Sequence, residues 1–70
     1  MSAFKELDCV TLRAARASLP AGALGTVLID FGDGVYMVEF ADDDGRTIDE
    51  LDLPEADLAP YVPAASAPAP

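Results

Sequence analysis

The chain has 70 residues, with 13 acids against four Lys and Arg, no histidine and one cysteine, for a formal net charge of −9. That length allows one small domain, a lone cysteine excludes an internal disulfide, and the commonest metal ligand and general base are both missing. No stretch approaches the ~20 apolar residues of a membrane helix, and the N-terminus carries no secretory apolar run, so a soluble cytoplasmic chain is expected.

The first expected strand covers residues 7–13, with Val10 and Leu12 as its core pair and Leu7, Cys9, Thr11 and Arg13 on the other face. Residues 14–24 lack a two-residue period and are punctuated by Pro20, Gly22 and Gly25, so they read as a loop. Propensity allows a short helix over 12–17, ended by Pro20. Leu19 and Leu24 are expected to pin this loop to the body of the domain. Arg13 and Arg16 are its basic pair, read as partners for local acids or as solvated surface.

Residues 25–45 organise the chain. Asp33-Gly34 between two apolar runs is a strong hairpin signal, because a type I′ turn needs positive φ at both central residues. A two-residue loop there sets Phe31 opposite Tyr36, Ile29 opposite Val38 and Val27 opposite Phe40, all six on the core face. Thr26, Leu28, Asp30, Met37, Glu39 and Ala41 then take the outer face. A Gly32-Asp33 loop slides the pairing by two residues and keeps the same faces, whereas a three-residue loop pairs inward with outward residues and is disfavoured.

Asp42-Asp43-Asp44-Gly45 reads as turn chemistry. A calcium loop fails, since Phe40 and Leu51 fall where its first Asp and bidentate Glu belong. The next strand runs over 46–53 with Leu51 and Leu53 inward; Ile48 is out of phase, which implies a bulge near Asp49-Glu50. Pro54 to Leu58 reads as one helical turn, with Leu58 plugging the end of the domain. A last short strand is expected near Tyr61-Val62. The domain is placed at 1–58 and a disordered Pro/Ala-rich tail at 59–70.

Charge is unevenly spread. Over 1–29, Lys5, Arg13 and Arg16 outweigh Glu6 and Asp8, whereas 30–58 set eleven acids against Arg46 alone. Such a field repels phosphate backbones and attracts basic proteins; acids also keep a small domain soluble. Leu28 and Met37, apolar within a polar face, are candidate anchors. The candidate partner-binding set is Leu28, Met37, Glu39, Asp42, Asp43, Asp44, Asp49 and Glu50. No catalytic, cofactor-binding or metal-binding residues are assigned. Asp30-Phe31-Gly32 copies a kinase triplet without its context. The carboxylate pairs Asp49-Glu50 and Glu55-Asp57 lack the burial that splits pKa values. A domain this small is expected to offer no substrate cleft. A flat outer face with Leu28 also suits pairing across a two-fold axis.

The order of elements (strand, long loop, hairpin, acidic turn, bulged strand, helical turn, stub) resembles a small five-stranded SH3-like barrel, an all-β class. Asp8-x-Val10-x-Leu12, Gly25-Thr26-Val27 and Val35 to Phe40 resemble the pattern of KOW-type barrels of ribosomal and transcription proteins. A closer similarity is to a small bacterial family of unknown function with a Leu-Asp-x-Val start, a Leu-Pro loop, Gly-Thr-Val, Asp-Gly-x-Tyr-x-Val-Glu-Phe and Asp-Gly-Arg-Thr. It covers residues 7 to about 58. That resemblance implies a non-enzymatic partner of another protein, of antitoxin or immunity type. KOW barrels face RNA with basic residues, whereas the matching turns here hold Asp33, Asp42, Asp43 and Asp44. The alternatives are a KOW-like barrel on the ribosome or RNA polymerase, an accessory barrel of an enzyme complex, and a nucleic-acid mimic.

Overall fold

The computed structural model describes residues 2–42 and 44–61. They form β1 (Cys9–Leu12), β2 (Leu24–Asp30), β3 (Val35–Ala41), β4 (Thr47–Pro54), a 3-10 turn (Glu55–Asp57) and β5 (Leu58–Pro60). The architecture is all-β, as expected. Five antiparallel strands make one sheet in the order β4-β3-β2-β1-β5. No helix among the described residues is long and apolar enough to cross a membrane.

Alternation decides the inside. Val10, Leu12, Val27, Tyr36, Val38, Phe40, Leu53 and Leu58 join Phe4 and Leu19 in one buried cluster, with Leu51 packed against it. Both edge strands, β4 and β5, contribute a leucine, so the sheet curls around its core. Gly25 stands opposite Phe40. A Cβ there would lie 2.6 Å from Val38 Cγ1 and 2.8 Å from Phe40 Cε1. Valine is stiff at χ1 and the phenyl ring is fully buried, so neither yields easily. Gly25→Ala is expected to cost about 1–3 kcal/mol through overpacking. A melting curve reads this as a fall of roughly 4 °C or more; an unmoved midpoint would show slack in the packing.

The hairpin differs from the sequence reading in two linked ways. Its loop has three residues, Gly32-Asp33-Gly34, closed by Phe31 N–H donating to Val35 O at 3.1 Å. Gly32 and Gly34 sit at φ of +87° and +85°, where a side chain is strained. The odd loop shifts the phase, and a bulge at Leu28 shifts it back, so Val27 meets Val38 and Gly25 meets Phe40. Between loop and bulge the faces are exchanged: Asp30 opposes Tyr36 and Ile29 opposes Met37. Ile29 and Phe31, expected in the core, are therefore 40% and 47% exposed.

The β4 bulge is present but falls on Ile48, which is skipped between the pairs Phe40/Asp49 and Ala41/Thr47. β1 is shorter than expected, because Leu7 has a φ of +71° and leaves the strand. No helix forms over 12–17. Arg16 and Leu19 instead exchange backbone hydrogen bonds of 2.9 and 2.8 Å around a tight turn. Leu19 is buried as expected, while Leu24 opens β2 and is exposed. Arg16 pairs with Asp57 at 2.8 Å, and Arg13 Nε donates to Leu58 O at 2.8 Å. Arg16 thus latches the loop to the 3-10 turn, and Arg13 latches it to the first residue of β5. The last strand comes earlier than expected: Ala59 and Pro60, assigned to the tail from the sequence, belong to β5, and Tyr61 N–H donates to Cys9 O at 3.1 Å. Residues 62–70, the remainder of the expected tail, lie outside the described residues.

Candidate functional site

The outer face of β2, β3 and β4 is best described as rows across the strands. One row is Cys9, Thr26, Glu39 and Glu50; the next is Ile29, Met37 and Asp52; a third ends in Val35 and Pro54, with Phe31 closing onto Val35. Acids occupy one end of the face and apolar side chains the other. Ile29 and Phe31 are exposed, and Met37 and Val35 are half-buried.

Hydrogen-bond phase sharpens this picture. Glu55 N–H donates to Gly34 O at 2.8 Å. Antiparallel pairs alternate between bonded and non-bonded types, so Tyr36/Leu53 and Val38/Leu51 are bonded, and Met37/Asp52 and Glu39/Glu50 are not. Non-bonded partners are the closer kind, with Cα atoms about 4.5 Å apart. Two glutamates therefore stand directly opposite at close range. Among the described residues the ion pair formed is Arg16–Asp57, so no cation neutralises them. Glu39 Oε2 accepts from Thr47 Oγ1 at 2.8 Å, a neutral donor that leaves the charge in place. Like charges directly opposed cost roughly 0.2–1 kcal/mol. Glu50→Gln is accordingly expected to raise stability by that amount, read as a higher urea midpoint at unchanged slope; a lower midpoint would mean the carboxylate has a stabilising partner.

The other candidate residues separate. Leu28 is the half-buried bulge residue, and Ile29 takes the place beside Met37. Asp42 is committed to its turn: its Oδ1 accepts the N–H groups of Asp44 and Arg46, both at 2.9 Å. Asp44 is exposed at the tip of that turn, and Asp43 lies outside the described residues. Asp49 faces Phe40 in the β4 register, and its Oδ1 accepts the N–H of Glu50 at 2.9 Å. Met37, Glu39 and Glu50 thus share one face, while the Asp42–Asp44 turn and Asp49 do not join it. Sequence reasoning missed Ile29, Phe31 and Asp52. The alternation of Glu50 and Asp52 against Leu51 and Leu53 already carried Asp52; Ile29 and Phe31 were hidden by the loop length. Asp30, at the rim, is held below the usual carboxylate pKa by hydrogen bonds from the Ser2 side chain and the Gly32 N–H.

An open cleft of about 610 Å³ lies between the 19–24 loop and the ends of β3 and β4, lined by Leu19, Leu24, Phe40 and Ile48 among others. It is open to solvent along one side, a surface groove rather than an enclosing pocket. Among the described residues its titratable lining group is Asp42, whose carboxylate already serves the turn. Among the described residues no three His, Cys, Asp or Glu side chains gather to hold a metal ion. Cys9 is an exposed free thiol at the end of the acidic row.

Comparison with known proteins gives one family. Residues 6–60 match the family model of DUF4926, a domain of unknown function. No curated protein and no solved structure gives a significant match. The match spans β1 to β5 and the whole outer face, and the chain belongs to the DUF4926 family.

Proposed function

We propose that this chain is a non-enzymatic protein-binding module with an SH3-like barrel, and that it takes a basic protein partner on the outer face of β2, β3 and β4. The observation that carries this is the Glu39/Glu50 opposition beside Asp52, with exposed Ile29 and Phe31 on the same face. Like charges held together at a cost, next to apolar side chains held in water, suit a partner that relieves both. Acids steer a basic partner and set its orientation; Ile29, Phe31 and Met37 supply buried contact once it arrives. The meander order and the 3-10 turn before the last strand support the barrel assignment. The role proposed is to neutralise or escort the partner, as an antitoxin or immunity protein does. An exposed lone thiol suits a reducing compartment such as the cytoplasm.

The alternative is a KOW-like barrel that docks on ribosomal or polymerase proteins. A tagged pull-down from the source cell at low and moderate salt separates the two. One small basic protein in stoichiometric yield, lost as salt rises, supports the neutralising role. Ribosomal or polymerase subunits support the alternative. Recovery of no protein at either salt contradicts both.

A further inference from the structure

We infer that both edges of the sheet are depleted of free N–H donors and so guarded against strand addition, and that this chain docks by the side chains of its face and not by its backbone. An edge strand normally offers a row of free N–H and C=O groups, which recruits strands from partners or from copies of the same chain. The phase of the ladders fixes which residues present those groups here.

On β4 the residues whose backbone points to the open edge are Thr47, Glu50, Asp52 and Pro54, as the non-bonded positions opposite β3; Thr47 keeps its N–H but stands beyond the Ile48 bulge, which interrupts the row. Pro54 has no N–H. The N–H of Glu50 donates to the Asp49 carboxylate at 2.9 Å. Asp52 keeps a donor, but its own charge and that of Glu50 flank any strand that would use it. On β5, Tyr61 N–H to Cys9 O and Arg13 N–H to Asp57 O mark the bonded pairs, which leaves Leu58 and Pro60 pointing to the open edge. Pro60 has no N–H, and Leu58 N–H donates back to Glu55 O. The Leu58 carbonyl accepts from Arg13 Nε at 2.8 Å. Of the six edge positions, then, two are prolines, two have their N–H occupied within the fold, and the two that keep a donor, Thr47 and Asp52, are separated from each other by the Ile48 bulge and the occupied Glu50.

This inference constrains the mode of docking in the proposed function, yet it is tested on the isolated protein, so its failure is distinct from failure of the partner reading. Sedimentation velocity of the full chain is compared with the full-length variant Asp49→Ala/Pro54→Thr, which frees the Glu50 N–H and adds one at position 54. Asp49→Ala alone serves as a second variant, since it changes one side chain without touching the entry to the 3-10 turn. The wild-type chain is expected to stay monomeric across a hundredfold concentration range. The opened variants are expected to rise toward at least twice the monomer mass at the top of that range. Self-association of the wild type with concentration-dependent amide protection at Glu50 and Asp52 would overturn the inference. So would opened variants that remain as monomeric as the wild type.

Discussion

Tyr36→Ala is expected to leave the chain unfolded at physiological temperature. The ring is fully buried, packs edge-on against Phe4 with centroids 5.5 Å apart, and sits opposite Leu53 on β4. Its hydroxyl accepts the Ala3 N–H at 3.1 Å, so one side chain holds both the core and the N-terminal segment. Truncating a buried aromatic costs about 3–5 kcal/mol. A domain of about 60 residues has only roughly 3–9 kcal/mol in hand at typical per-residue stability. Loss of the cooperative melting transition is the readout, and a variant that still melts cooperatively near the wild-type midpoint would contradict this placement. Tyr36→Phe separates the two roles. It keeps the ring and removes the latch, at about 1 kcal/mol, and it should speed amide exchange at Ala3 and Phe4 while leaving Val38 and Phe40 protected.

The second large effect is on association. Glu39→Gln/Glu50→Gln removes two charges from the face while keeping the acceptor for Thr47. Association of the wild type with its basic partner is expected to be steered, and so to slow as salt rises. The double variant should bind at least tenfold more slowly at low salt and with a flatter salt dependence. Its fold should be intact and slightly more stable, since the Glu39/Glu50 repulsion is gone. That opposite movement of stability and binding is the mark of residues retained for a partner rather than for the fold.

Most of the core was legible in the sequence. Val10, Leu12, Val27, Tyr36, Val38, Phe40 and Leu53 followed from two-residue alternation and Leu58 from the helical turn that ends on it, and all are buried. What escaped was a pair of compensating irregularities. A three-residue loop and a bulge at Leu28 each flip the phase, and together they restore it, so both ends of the hairpin looked regular. Only the four residues between them, Leu28 to Phe31, change face or burial. Those residues turn out to include the exposed apolar end of the candidate site. A readable signal was Gly34 at the third loop position, which a three-residue hairpin loop favours. The triple aspartate drew attention as the densest charge, yet Asp42 is spent on its own turn. The acids that share a face with apolar neighbours are spread along β3 and β4. Their grouping depends on strand register, which pairing across the sheet decides and local composition does not.

The central claim is that a basic partner binds the face bearing Glu39, Glu50, Ile29 and Phe31. The most direct measurement is a side-by-side capture of the partner by three chains: wild type, Glu39→Gln/Glu50→Gln, and the charge-matched Asp44→Asn/Asp49→Asn, whose residues do not join the face. Protection of the Cys9 thiol from alkylation serves as a local readout, because Cys9 ends the same row. If the face is the site, wild type and the matched control capture the same basic protein and protect Cys9, while the face variant does neither. Equal capture by all three chains, or equal loss in both variants, would contradict it and leave the acids a general role in charge.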